Sequence, residues 1–166
     1  KREKYGEAWQ ALSEARRRGL VTSIGVSNFL PEHLERLVAE TGVTPAVNQI
    51  ERPPYFPQAE QRAWDADHGI VDEAWSPLGR ASAVLQDPVV KRIAGAHQRS
   101  TGQVVLRWQT QLGIIPLPKA AHAERQEQNL SIFDFELSPA ELDEITGLGR
   151  PDGRIADQDP AEYEEF

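Results

Sequence analysis

Apolar positions recur along this chain with two periods that alternate. Tyr5, Ala8, Trp9, Leu12 and Ala15 share one side of a helix, and Gly19 follows as a residue suited to end it. The β-branched stretch Val21–Val26 predicts a buried strand. Pro31 then opens a helix and Gly42 lies past its end. A second strand is expected over Ala46–Ile50, followed by the proline-rich loop "ERPPYFP" and a helix from Gln58 to Asp67 that stops near Gly69. A third strand, Ile70–Trp75, runs into "SPLGRASAVLQD". Asp87 and Pro88 open another helix, and Thr101 is expected to cap the next, through Leu112. A fourth strand, Ile114–Leu117, precedes a helix over Glu124–Leu130. "SPAE", Ser138–Glu141, reads as a capping box for a last helix. From Gly149 the chain is polar and acidic, and loop is expected.

Strands and helices therefore alternate four times. The first three strand starts lie about 25 residues apart, the βα repeat of a (β/α)8 barrel of about 250 residues. Short, apolar, β-branched strands suit a sheet covered on both faces. Four units make half a TIM barrel, an α/β fold, and no linker or second domain interrupts residues 1–166.

Composition acts mainly by exclusion. The net charge is −8 and hydrophobic residues are 39% of 166, so a core is available but no basic face for a nucleic-acid backbone. There is no cysteine, which removes disulfides and thiolate metal sites and fits a cytoplasmic protein. No apolar run reaches the roughly 20 residues of a membrane span. "KREKYGEAWQ" has no apolar core of a signal peptide. The chain starts at Lys1 and holds no methionine, the pattern of a fragment or a processed or trimmed product.

Polar residues collect at the strand ends, where a barrel keeps its chemistry. They are Ser27-Asn28, Asn48-Gln49, Trp75-Ser76 and Pro118-Lys119. Each alone has a plain reading: turn chemistry, a bonded core amide, a core ring, a solvated cation. Together they describe one ligand with a flat ring, a carboxamide and phosphates. Tryptophan stacks on a ring, hydroxyl and amide groups fix a carboxamide, and Lys119, Arg125 and a helix start hold a phosphate. Those are the parts of NADPH, without the G-x-G-x-x-G of a Rossmann site. His33, His68, His97 and His122 make no H-x-x-x-H pair and read as surface residues. "EARRR", Glu14–Arg18, reads as a solvated helix end.

"GLVTSIGVSNF", "PAVNQIE", "EAWSPLGR", "VVLRWQTQLGIIPLPKA" and "ERQEQNL", in that order, resemble the aldo-keto reductase family, with the bacterial reducers of 2,5-diketogluconic acid nearest. The resemblance implies the carboxyl-terminal half of a barrel that binds NADPH in extended form and reduces aldehydes and ketones by hydride transfer. It assigns Ser27, Asn28 and Gln49 to the nicotinamide carboxamide and Trp75 to its ring. Ser76, Pro77, Leu78, Gly79 and Arg80 would form the loop over the pyrophosphate. Lys119 and Arg125 would hold the 2′-phosphate, and Asn129 would face the adenine. Ala120 stands where the family has serine, which weakens the preference for NADPH over NADH, and Gln128 stands where glutamate is common. The family's Asp, Tyr, Lys and His tetrad belongs to the other half of the barrel, and Tyr5, Tyr55 and Tyr163 do not match its tyrosine.

The expected parent is thus a reductase of small carbonyl substrates, monomeric when whole. The 166 residues alone are expected to be inactive and, with open strand edges, prone to self-associate. Two other readings stand beside it. One is a non-catalytic NADPH-binding half-barrel or truncated gene product. The other is a barrel glycoside hydrolase using Glu51 and Glu73. The acidic end, "PAEYEEF", is read as tail, or as a segment over the barrel mouth.

Overall fold

The computed structural model describes residues 5–81, 83–155 and 159–162. Helices and strands alternate: α1 Tyr5–Arg17, β1 Val26–Ser27, α2 Pro31–Thr41, β2 Val47–Glu51, α3 Ala59–Asp67 and β3 Val71–Trp75. There follow α4 Pro88–His97, α5 Thr101–Gln111, β4 Ile115–Leu117, α6 Ala123–Leu130 and α7 Pro139–Thr146. Two 3₁₀ turns, Gly79–Ala81 and Ala83–Gln86, separate β3 from α4. The sheet has four strands in the order β1-β2-β3-β4, and β1 with β2 and β3 with β4 pair in parallel. Parallel strands in chain order, with helical crossovers, are how βα units follow one another in a barrel wall.

Two compact units divide the chain. Of the described residues, one unit takes 5–50, 59–72 and 159–162, and the other takes 51–58 and 73–155. In the first unit, Trp9 of α1, Ile24 and Leu37 of α2 form a buried cluster with Tyr5, Val26, Phe29 and Val43 around it. The Trp9 indole N–H donates to the Val43 carbonyl at 3.3 Å, so the ring is buried without orphaning its polar atom. Gly25 lets the chain pass close to β2: a Cβ there would lie 2.8 Å from the Val47 carbonyl oxygen.

In the second unit, α4, α5 and α7 close on Val90, Ile93, Ala94, Val104, Val105, Trp108, Leu137 and Ile145. Trp108 donates to Thr146 Oγ1 at 3.0 Å. The Gln111 side chain bonds both polar atoms of the Leu137 backbone, at 2.8 and 3.0 Å. Asp87 caps α4 through the Val89 amide, and Ser138 with Glu141 forms the expected box at α7.

Three expectations change. The strand expected over Val21–Val26 is β1, Val26–Ser27, with the first cross-strand bond at Ile24, whose carbonyl accepts from the Ala46 amide at 2.9 Å. Upstream of it, the β-branched Val21 is 42% exposed and lies outside any strand. Ser100, not Thr101, caps α5: its hydroxyl accepts from the Gln103 amide while the Gln103 side chain accepts from the Ser100 amide. Two histidines do more than decorate a surface. His33 Nδ1 accepts from the Leu30 amide at 3.2 Å beside Tyr5 and Phe29, and His97 meets Glu141 at 2.9 Å.

The stretch 149–155 and residues 159–162 make turns, as expected of a tail, while Tyr163 and the rest of "PAEYEEF" beyond Glu162 lie outside the described residues. Among the described residues no helix is long and apolar enough to cross a membrane. None of their His, Asp and Glu side chains cluster in a way that could hold a metal ion.

Candidate functional site

The first unit carries Ser27, Asn28 and Gln49. Parallel register sets Ser27 opposite Gln49, so the end of β1 lies level with the middle of β2, two residues before β2 ends at Glu51. The Ser27 hydroxyl donates to the Gln49 carbonyl at 2.9 Å, and the Asn28 amide donates to the same oxygen at 3.0 Å. Asn28 itself is left-handed, with φ 58°, a conformation asparagine tolerates better than most residues. Ser27 is exposed and Asn28 and Gln49 are half-buried. The serine oxygen, having donated inward, still offers lone pairs outward.

Behind this turn stands a residue that the sequence places at the strand end but to which it gives no role. Asn48 is 0% exposed. Its amide nitrogen donates to the Phe29 carbonyl at 2.9 Å and to Asp65 Oδ2 at 3.3 Å, and its oxygen accepts from the Phe29 amide at 3.4 Å. Asp65, also buried, accepts at its other oxygen from Gln61 at 3.0 Å. Burial first, and then a hydrogen bond with Asp72, push the Asp65 carboxyl up to about 7.

The second unit carries the rest. Register sets Trp75 opposite Leu117, so Trp75–Arg80 and Pro118–Ala120 leave the same end of the β3–β4 pair. Trp75 is half-buried. Ser76 and Arg80 both adopt left-handed backbone, φ 48° and 54°. Such conformations persist only where the surroundings enforce them. Here Pro77 and Gly79 are buried, Leu78 packs on the helical core, and the Gly79 amide returns to the Ser76 carbonyl at 2.9 Å. A second overlooked residue supports the loop. Gln109 of α5, 0% exposed, donates to the carbonyls of Arg52 at 2.6 Å and Pro77 at 3.4 Å.

Lys119 is exposed and Ala120 half-buried. The following helix, α6, has His122 at its N-cap with no side-chain bond to the first turn, and Arg125 stands exposed in that turn. First-turn amides without a side-chain cap, with Lys119 shortly before them in sequence and Arg125 and one acid, Glu124, in the turn itself, leave this end with a positive balance. Gln126 ties the loop back by donating to the Ala120 carbonyl at 3.1 Å. Gln128 is exposed, Asn129 half-buried, and α6 buries none of its residues.

Glu51 has a different task from the acid–base role considered for it. It is 2% exposed and accepts from the Ile155 amide at 2.5 Å. Burial raises its carboxyl above the ordinary range, against the pull of that amide, Arg154 and Arg80. Around it Arg150 stacks 3.5 Å over the Tyr55 ring, and Tyr55 donates to Asp87 at 3.0 Å. Glu51 thus anchors the segment near 150–155 on the loop after β2.

Asn48, Asp65 and Gln109 share one signal: amide or acid side chains where the hydrophobic period assigns core.

The aldo/keto reductase family model matches residues 1–150. The 2,5-diketo-D-gluconic acid reductase B of Corynebacterium sp. (strain SHS752001) is 48% identical over 160 residues, which are 96% of this chain and 57% of that protein. Methylglyoxal reductase DkgA of Escherichia coli (strain K12) is 39% identical over 160 residues, 96% of this chain and 58% of its own. Among solved structures, a mutant of Gox0644 in complex with NADPH superposes on 99% of this chain and 60% of its own, at TM-score 0.93 and 43% identity. A Bombyx mori aldo-keto reductase in complex with NADP does so over 96% of this chain and 55% of its own, at TM-score 0.86 and 35% identity. The chain spans somewhat over half the length of each of these relatives.

Proposed function

This chain belongs to the aldo/keto reductase family, and on that premise we propose that it is the cofactor-holding part of an NADPH-dependent reductase of aldehydes and ketones. The observation that carries the reading is the α6 start: an uncapped helix end flanked by Lys119 and Arg125, on a chain similar over nearly its whole length to an NADPH complex. The residues fit the group in chemistry. Ser27, Asn28 and Gln49 offer donors and acceptors to a carboxamide, and Trp75 offers a flat apolar face. The left-handed turn Ser76–Arg80 offers backbone amides and one guanidinium to a pyrophosphate. Lys119, Arg125 and the first-turn amides of α6 offer positive charge to a terminal phosphate.

Bound there, NADPH supplies hydride to a carbonyl carbon. This chain's residues bind and orient. Ser27 accepts from the carboxamide while its own proton stays on the Gln49 carbonyl, which restricts rotation about the ring's substituent. Asn129, at the end of α6, faces the adenine. We read the two units as parts of one barrel domain.

The proton for the developing alkoxide comes, in this proposal, from barrel residues outside these 166. Tyr5 is packed against Phe29 and His33. Burial and the bond to Asp87 push the Tyr55 phenol above its ordinary value, the wrong direction for a proton donor near neutrality.

The test is a fluorescence titration of the protein that carries this chain with NADPH and with NADH. Saturable NADPH binding that Lys119→Ala and Arg125→Ala each weaken about tenfold, with little change for NADH, is the expected result. Equal loss for both dinucleotides removes the phosphate assignment. Absence of binding removes the cofactor reading.

A further inference from the structure

The left-handed Asn28 is clamped from both sides by consecutive residues of β2. On one side the Ser27 hydroxyl and the Asn28 amide end on the Gln49 carbonyl. On the other the Phe29 amide and carbonyl end on the two ends of the Asn48 carboxamide. The second clamp works only in one orientation of that carboxamide. Flipped, its oxygen would face the Phe29 carbonyl and its nitrogen the Phe29 amide, two like pairs in a fully buried place.

What selects the orientation is Asp65. Its Oδ2 is an acceptor 3.3 Å from Asn48 Nδ2, and a flipped Asn48 would set oxygen against oxygen there too. Gln61 fixes the other carboxyl oxygen at 3.0 Å, so the acid cannot swing away. Asp65 lies on α3, far in sequence from the turn, and is itself buried, so it does not touch a ligand.

We propose that Asp65 is a positioning residue for the nicotinamide end of the cofactor: by orienting Asn48 it holds Phe29, and with it the Ser27-Asn28 turn, in the shape that receives the carboxamide. The inference rests on the cofactor reading above. It makes a directional claim, because loosening this turn touches the nicotinamide end alone. The adenine and 2′-phosphate contacts proposed for Lys119, Arg125 and Asn129 lie on other elements.

The experiment compares two probes, NADPH and 2′,5′-ADP, which keeps the adenine and 2′-phosphate and lacks nicotinamide. Binding of each to the protein carrying this chain is measured for the parent, Asp65→Ala and Asp65→Asn. Loss of one buried hydrogen bond predicts that Asp65→Ala weakens NADPH about tenfold while 2′,5′-ADP is unchanged. Asp65→Asn, whose carbonyl accepts from Asn48 while a turned-over Gln61 carbonyl accepts from its amide, restores NADPH to within about threefold of the parent. In carbonyl reduction the same Asp65→Ala protein shows a raised KM for NADPH together with a lowered kcat. Equal weakening of both probes marks a merely structural role and overturns the proposal, as does unchanged NADPH binding. If Asp65→Ala does not fold, Asp65→Ser, with a shorter acceptor, takes its place under the same criteria. A parent that binds 2′,5′-ADP and NADPH equally well overturns this inference and leaves the phosphate site standing; a parent that binds neither overturns the cofactor reading and this inference with it.

Discussion

Single atoms decide several features of this chain. A methyl group at Gly25 would press on the Val47 carbonyl oxygen at 2.8 Å and the Val47 Cβ at 3.1 Å. Gly25→Ala is therefore expected to cost roughly 1–3 kcal/mol, read as a lower urea midpoint at unchanged slope. Asp65 gives a pH dependence whose sign follows from its environment. Folded, it holds its proton up to about 7, against an ordinary value of 3.8; unfolded, it releases it earlier. Its contribution is complete below the ordinary value and is lost as pH rises toward about 7. Asp65→Asn, neutral throughout, is expected to flatten that part of the profile, so its urea midpoint rises relative to the parent as pH goes from the ordinary value of 3.8 to about 7. Ala120→Ser adds one hydroxyl beside Lys119 and is expected to raise the NADPH-over-NADH affinity ratio about threefold to tenfold. Equal gains for both dinucleotides would show that the hydroxyl does not meet the phosphate.

The elements differ in how their stability arises, and so in how far the sequence announces them. Helices with explicit ends were legible: Pro31 with Gly42, Asp87-Pro88, and the Ser138–Glu141 box all fall where side-chain chemistry predicts. The α5 start was misread by one residue because serine and threonine are adjacent and only one reaches the Gln103 amide. Ser100→Ala is expected to cost about 1 kcal/mol, while Thr101→Ala costs little. β1 was misread more deeply, because strand length depends on a partner that local composition does not reveal. The outward site residues were legible as a group, since polar residues at strand ends have few other reasons to recur. The supporting roles of Asn48, Asp65 and Gln109 were not, because a buried amide or acid is intelligible only with its partner in view. Helix α6 forms a contrast to all the others, with no buried side chain. Its amides are expected to exchange quickly in the free protein and to slow on adding NADPH, seen by hydrogen-exchange mass spectrometry. Unaltered exchange would argue against a phosphate at its start.

For the molecule as a whole, the telling surface is one face of the β3–β4 pair. Alternate residues point to one side of a strand, and on that side Ile115 is 48% and Leu117 41% exposed. In a closed barrel this side is filled by layers of branched side chains. Residues 1–166 expressed alone are expected to self-associate, giving a concentration-dependent mass by light scattering; a single monomeric mass across a wide concentration range would contradict this. The division into two units has a further consequence, one of inheritance rather than energy. The chain leaves the first unit after residue 50, returns at 59 and leaves again after 72. Neither unit is one continuous stretch of gene, so neither can be duplicated, deleted or fused elsewhere by a single recombination event. Shuffling at this locus can move both units together, or neither.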